Sequence, residues 1–147
     1  MAAHRVAMVE AAIAGNPRFA LSRADVDRPG PHYSADMVAL VAAQHVGETL
    51  YFLMGGDSLH DLPTWHEPAR LLAQCRLAVV RRPFDHLDLA ALEARLPGVT
   101  AGLQVVDAPL IDISGTAIRR RVRAGLSVRY WVTDDVGAYI QREGLYR

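Results

Sequence analysis

The sequence predicts an α/β fold built on a parallel sheet, and three observations carry that expectation. Short runs of continuous apolar character, such as Thr49-Leu50-Tyr51-Phe52-Leu53-Met54 and Leu77-Ala78-Val79-Val80, alternate with segments of helical character. Strands without polar alternation are those of a parallel sheet covered on both faces. Two turns, Gly55-Gly56-Asp57 and Ser114-Gly115-Thr116, hold small residues beside hydroxyl or carboxylate groups. Both fall where ligands bind in such folds, beyond the carboxyl ends of strands.

Element by element, Val6 to Ala14 is alanine-rich and helical in character, and Gly15-Asn16-Pro17 stops it. Phe19-Ala20-Leu21-Ser22 reads as a short strand. After a loop with Pro29, Gly30 and Pro31, a helix starts near Ser34, with Met37, Val38, Leu40 and Val41 as its apolar face. The strand ending at Met54 is followed by helix around Trp65 to Gln74, then the strand Leu77 to Val80. Asp85 to Leu96 is helical, closed by Pro97-Gly98, and Leu103-Gln104-Val105-Val106 is the next strand. A helix follows from Ser114 up to Gly125. Thr133 caps the last helix, Asp134 and Asp135 suit its positive end, and Gly144 terminates it.

With 147 residues the chain is expected to be one domain with a proper core. Half of its residues are hydrophobic and 22% are charged, a soluble, globular composition. Sixteen basic and sixteen acidic residues give a formal net charge of zero, which argues against nucleic acid as a partner. Arg119, Arg120, Arg121, Arg123 and Arg129 form a local basic cluster, with Arg120 and Arg121 expected on a solvated helix face. Cys75 is the only cysteine, so neither a disulfide nor a cysteine metal site is available, and a reducing, cytoplasmic setting fits. The apolar stretches are too short to cross a bilayer, so no membrane is expected. No internal repeat is visible, and a homo-oligomer is compatible with the sequence.

Ile113-Ser114-Gly115-Thr116-Ala117-Ile118-Arg119 is the strongest chemical signal. At a helix start the first N–H groups lack intrahelical partners and the macrodipole is positive, so an anion is favoured there. Ser114 or Thr116 adds a hydroxyl donor, Gly115 lets a ligand approach the backbone, and Arg119 lies one turn later on the same face. Planar, permanently charged arginine suits phosphate. The same pattern also serves an ordinary capped helix with a nearby arginine. Asp57 can accept hydrogen bonds from ribose or an amide, or simply cap a tight turn. Trp65 can stack on a planar heterocycle or belong to the core. Ser34 is expected as an N-cap first and an anion contact second. The six histidines show no metal-protease pairing, and Walker, Gly-x-Gly-x-x-Gly and Gly-x-Ser-x-Gly motifs are absent, so no metal site is expected.

Taken in order, several segments resemble the bacterial nicotinate-nucleotide adenylyltransferases, members of the nucleotidyltransferase superfamily. They are Asn16-Pro17-Arg18-Phe19, Tyr33-Ser34, Gly55-Gly56-Asp57-Ser58-Leu59, Pro63-Thr64-Trp65, Val80-Arg81-Arg82-Pro83, Ile113 to Arg119, and Gly144-Leu145-Tyr146. The resemblance covers nearly the whole chain and implies a Rossmann-like nucleotidyltransferase fold. It implies adenylyl transfer from ATP to nicotinate mononucleotide, releasing pyrophosphate and forming deamido-NAD, the precursor of NAD. By the same resemblance Ser114, Thr116 and Arg119 hold the ATP phosphates, and Arg119 offsets charge on the leaving pyrophosphate. Gly55 and Asp57 line the nucleotide groove, Trp65 stacks on the nicotinate ring, and Ser34 and the backbone at His66 meet its carboxylate. Mg²⁺ is expected to accompany ATP.

The family opens with a strand and a Gly-Gly-x-Phe-Asp-Pro-x-His-x-Gly-His segment that this sequence does not contain. From this departure we expect an N-terminally shortened adenylyltransferase, lacking about one βα unit and showing little or no turnover by itself. Translation of the DNA upstream of Met1 tests this, and the idea fails if no such histidine segment is encoded in frame. The alternatives are an adenylyltransferase for another acceptor, such as phosphopantetheine or nicotinamide mononucleotide, and a non-catalytic nucleotide-binding module.

Overall fold

The computed structural model describes residues 2–80, 88–109 and 111–147. In chain order its helices and strands are α1 (Ala2–Ile13), α2 (Ser34–Gln44), β1 (Tyr51–Gly55), α3 (Gly56–Asp61), α4 (Pro68–Leu72), β2 (Arg76–Val80), α5 (Leu89–Arg95), β3 (Leu103–Val106), α6 (Gly115–Arg123) and α7 (Asp134–Arg142). They fall into two compact units, one of Met1–Val26 with Ile113–Arg147 and one of Asp27–Asp112.

In the second unit the strands form a parallel sheet in the order β1-β2-β3. Phe52 pairs with Leu77, Met54 with Val79, and Leu77 in turn with Leu103. Parallel neighbours cannot be joined by a hairpin, so the first step runs through α3, a 3₁₀ turn at Leu62–Thr64 and α4, and the second includes α5. Because the strand order does not reverse, right-handed crossovers bring their helices to the same face. The register identifies it: Met54, Leu77 and Val79 share a face and cluster with Leu59, Leu62, Leu71, Leu92, Leu96 and Val99, and with Ala35 and Val38 of α2. Each fully buried leucine contributes roughly 1.5–3 kcal/mol.

The opposite face carries Tyr51 and Leu53, and Leu53 is 65% exposed. The burial expected on both faces is met at the central strand alone, where Leu77, Ala78 and Val79 are all buried. Covering both faces takes a reversal of strand order, and the described strands contain none.

Helix α5 begins at Leu89, with the Asp88 carboxylate accepting from the Ala91 N–H at 2.9 Å. The expected start at Asp85 and the core position Leu87 lie outside the described residues. At its other end Glu93 accepts from the N–H groups of Gly98 and Thr100 and from the Thr100 hydroxyl, tying the helix to the turn where Gly98 has φ +88°. These three donors favour the charged form, and they hold the Glu93 carboxyl below its ordinary value.

In the first unit α1 packs on α7, where His4 Nδ1 meets the Tyr139 hydroxyl at 2.9 Å. Val128, Val136 and Ile140 are buried there. The Thr133 hydroxyl oxygen accepts from the Val136 N–H at 3.4 Å, as expected of the cap, and Gly144 follows α7 in the left-handed region at φ +59°. Phe19-Ala20-Leu21-Ser22 is not a strand. Asn16 accepts from the N–H groups of Arg18 and Phe19, and Ser22 accepts from Ala24, so local turns replace a ladder.

Candidate functional site

The helix start at Ser114 takes the geometry expected of it. Ser114 is extended (φ −116°, ψ 151°), and its hydroxyl oxygen accepts from the Ala117 N–H at 3.1 Å. Intrahelical bonding begins with Ile118 N–H on the Ser114 carbonyl, so the N–H groups of Gly115 and Thr116 have no acceptor within the helix. Arg119 folds back toward this end, where its Nη2 donates to the Thr116 hydroxyl oxygen at 3.1 Å. Its Nη1 lies 3.2 Å from the place a Cβ on Gly115 would take. The glycine thus leaves room for the guanidinium, and both hydroxyls accept inside the helix while keeping an O–H to donate. Ser114, Gly115, Thr116 and Arg119 are all exposed.

Arg121 is not on a solvated face as expected. Its Nε donates to the Ser127 carbonyl at 3.0 Å and its guanidinium lies 4.6 Å from the Trp131 ring centre, fastening the segment after α6.

Within the sheet unit, Gly55 ends β1 in an ordinary extended conformation (φ −82°, ψ 163°) and Gly56, buried, opens α3. Neither position depends on left-handed backbone. Asp57 is exposed in the first turn of α3, where its charge suits the positive end. Trp65 follows the 3₁₀ turn, half-buried, with its ring edge-to-face against Phe52 at 6.0 Å. One side of the ring joins the core and the rest stays accessible.

Ser34 is the first residue of α2. The cap position belongs to Tyr33, which makes no side-chain cap bond, so the expectation that Ser34 is the N-cap is corrected by one residue. The backbone here is held from outside the helix, since Arg28 Nη2 donates to the Tyr33 carbonyl at 3.1 Å. The Tyr33 ring stacks on His66 at 3.8 Å, which sets the start of α2 beside the Trp65-His66-Glu67 turn.

Glu67 is left-handed (φ 48°, ψ 55°), and Pro68 then opens α4. Arg70 Nη1 donates both to Glu67 Oε2 at 2.7 Å and to Asp36 Oδ1 of α2 at 2.8 Å. The Glu67 bond first, and then the Asp36 bond, raise the Arg70 pKa above its ordinary value. Sequence reasoning missed this group. The Glu67/Arg70 spacing was a usable signal, whereas the Asp36 contact spans 34 residues and has none.

The five candidates Ser34, Gly55, Asp57, Trp65 and His66 therefore lie in the sheet unit, and Ser114, Thr116 and Arg119 lie in the other. Among the described residues no group of three or more His, Cys, Asp or Glu side chains is placed to hold a metal ion. No helix among them is long and apolar enough to cross a membrane.

The cytidylyltransferase-like family model matches residues 1–121. A relative from Thermomicrobium roseum, named a probable nicotinate-nucleotide adenylyltransferase, is 48% identical over 145 residues, covering 99% of this chain and 68% of the relative. The chain belongs to the nicotinate-nucleotide adenylyltransferase family. A second relative so named, from a Roseiflexus species, is 43% identical, with 98% of this chain and 72% of the relative covered. Solved structures of Plasmodium falciparum nicotinic acid mononucleotide adenylyltransferase, one complexed with APC and one with NaAD, share the adenylyltransferase fold with it. Their TM-scores are 0.71 and 0.72 at 18% identity, covering 98% of this chain and 75% and 73% of theirs.

Proposed function

We propose that this chain transfers the adenylyl group of ATP to nicotinate mononucleotide, giving deamido-NAD and pyrophosphate in NAD biosynthesis. The observation that carries the reading is the cradle itself: a capped helix start with Arg119 folded back over Gly115. Family membership supports ATP as the anion it serves. In the reaction a phosphate oxygen of the mononucleotide attacks the α-phosphorus of ATP, one P–O bond forms, and the bond to pyrophosphate breaks. The nucleophile is already anionic, so the chain's work is alignment and charge stabilisation.

Ser114, Thr116 and Arg119 hold the phosphates, with Arg119 donating to the oxygens that gain charge as pyrophosphate leaves. Gly55 and Asp57 line the nucleotide groove. Trp65 stacks on the nicotinate ring, and Ser34 and the His66 N–H receive its carboxylate. Mg²⁺ enters as the complex of ATP and belongs to the substrate. We place the reaction in the cytoplasm, in keeping with a single cysteine and no disulfide.

Isothermal titration with ATP, nicotinate mononucleotide and nicotinamide mononucleotide tests the reading. ATP and the nicotinate are expected to bind, with the amide weaker. Equal affinity for the two mononucleotides contradicts the nicotinate assignment, and no affinity for ATP contradicts the cradle.

A further inference from the structure

The geometry points to Arg70 as a positioning residue for nicotinate recognition, acting through the Asp36-Arg70-Glu67 clamp. The inference rests on the proposed roles of Ser34 and the His66 N–H. Those groups come from two separate elements, the start of α2 and the turn before α4, so reading one carboxylate requires their spacing to be fixed. Two contacts fix it. The Tyr33 and His66 rings stack at 3.8 Å, and Arg70 Nη1 bridges Asp36, two residues after Ser34, to Glu67, directly after His66.

Exposed ion pairs contribute little to stability, and these side chains are 35% to 48% exposed. What the clamp controls is local geometry. Glu67 occupies the left-handed region at φ 48°, which a side chain adopts only when its surroundings demand it. This backbone turns the chain between His66 and Pro68, so where the His66 N–H stands relative to α4 depends on Glu67 keeping its conformation. A second guanidinium, Arg28, holds the Tyr33 carbonyl at 3.1 Å and lies 4.0 Å from Asp36, bracing the other side of the clamp. Arg70 is not placed to touch substrate in this scheme; it orients the groups that do.

A single nitrogen of Arg70 makes both bonds, and a lysine ammonium can do the same. Wild type, Arg70→Met, Arg70→Lys and Asp36→Ala are titrated with ATP, nicotinate mononucleotide and nicotinamide mononucleotide. Arg70→Met is expected to weaken the nicotinate about fivefold, leaving ATP unchanged and narrowing the preference for acid over amide. Asp36→Ala follows it, and Arg70→Lys keeps most of the preference. A wild-type preference that survives Arg70→Met overturns the inference alone. So does an equal loss of ATP affinity, which marks a merely structural role, or a lysine variant as poor as the methionine one. A wild type without any preference removes the proposed function, and the inference with it.

Discussion

Gly115 and Arg119 act as a pair, because a Cβ on Gly115 would stand in tight contact, 3.2 Å, with the guanidinium. The far end of an arginine moves easily, and alanine is the better helix former by up to about 1 kcal/mol. Gly115→Ala is therefore expected to raise the melting temperature slightly while weakening ATP several-fold. Arg119→Ala removes the charge-assisted bonds themselves and is expected to lower ATP affinity between about tenfold and a hundredfold. Calorimetry beside a thermal melt separates the two effects. Cys75 is buried, its Sγ faces the Leu71 carbonyl at 3.4 Å, and burial pushes its thiol up. It is expected to react with a disulfide reagent only after denaturant is added; rapid reaction of the native chain would show the thiol to be accessible. Residues whose geometry is local were readable in the sequence, as Ser114, Gly115 and Arg119 illustrate. Arg70 was not, because its meaning depends on Asp36, which folding brings to it from 34 positions away.

At the scale of elements, helices with a capping side chain announce themselves. Ser114 and Thr133 each accept from the N–H three residues on. Tyr33 has no such bond, which is why the start of α2 was misplaced by one residue. Phe19 to Ser22 had strand composition without a strand's partner, and polar neighbours gave its backbone local turns instead. The Glu93 cap makes a pH-dependent contribution. Its folded pKa is depressed, so the stabilisation is complete above the ordinary value of 4.5 and is lost as pH falls through the lower folded value. Glu93→Gln is expected to melt below wild type at neutral pH, with the difference closing under acid. A gap in melting temperature that stays constant from pH 7 to below 4.5 would contradict this assignment.

For the whole molecule, apolar runs alternating with helices were enough to indicate a parallel α/β fold. Which face of the sheet is covered was not legible. That depends on strand order, and β1-β2-β3 without a reversal keeps the crossover helices on the side of Met54, Leu77 and Val79. The division into two compact units was equally silent, since residues 1–26 and 113–147 are joined only by folding. By the proposed roles, Ser114, Thr116 and Arg119 hold phosphates, and Ser34, Trp65 and His66 read the nicotinate. The dinucleotide product carries both determinants. Titration of the chain with deamido-NAD against NAD is therefore the most direct test. Deamido-NAD is expected to bind about tenfold or more tightly than NAD, because the amide forfeits a charge-assisted hydrogen bond. Equal binding of the two, or binding of neither, would contradict the account.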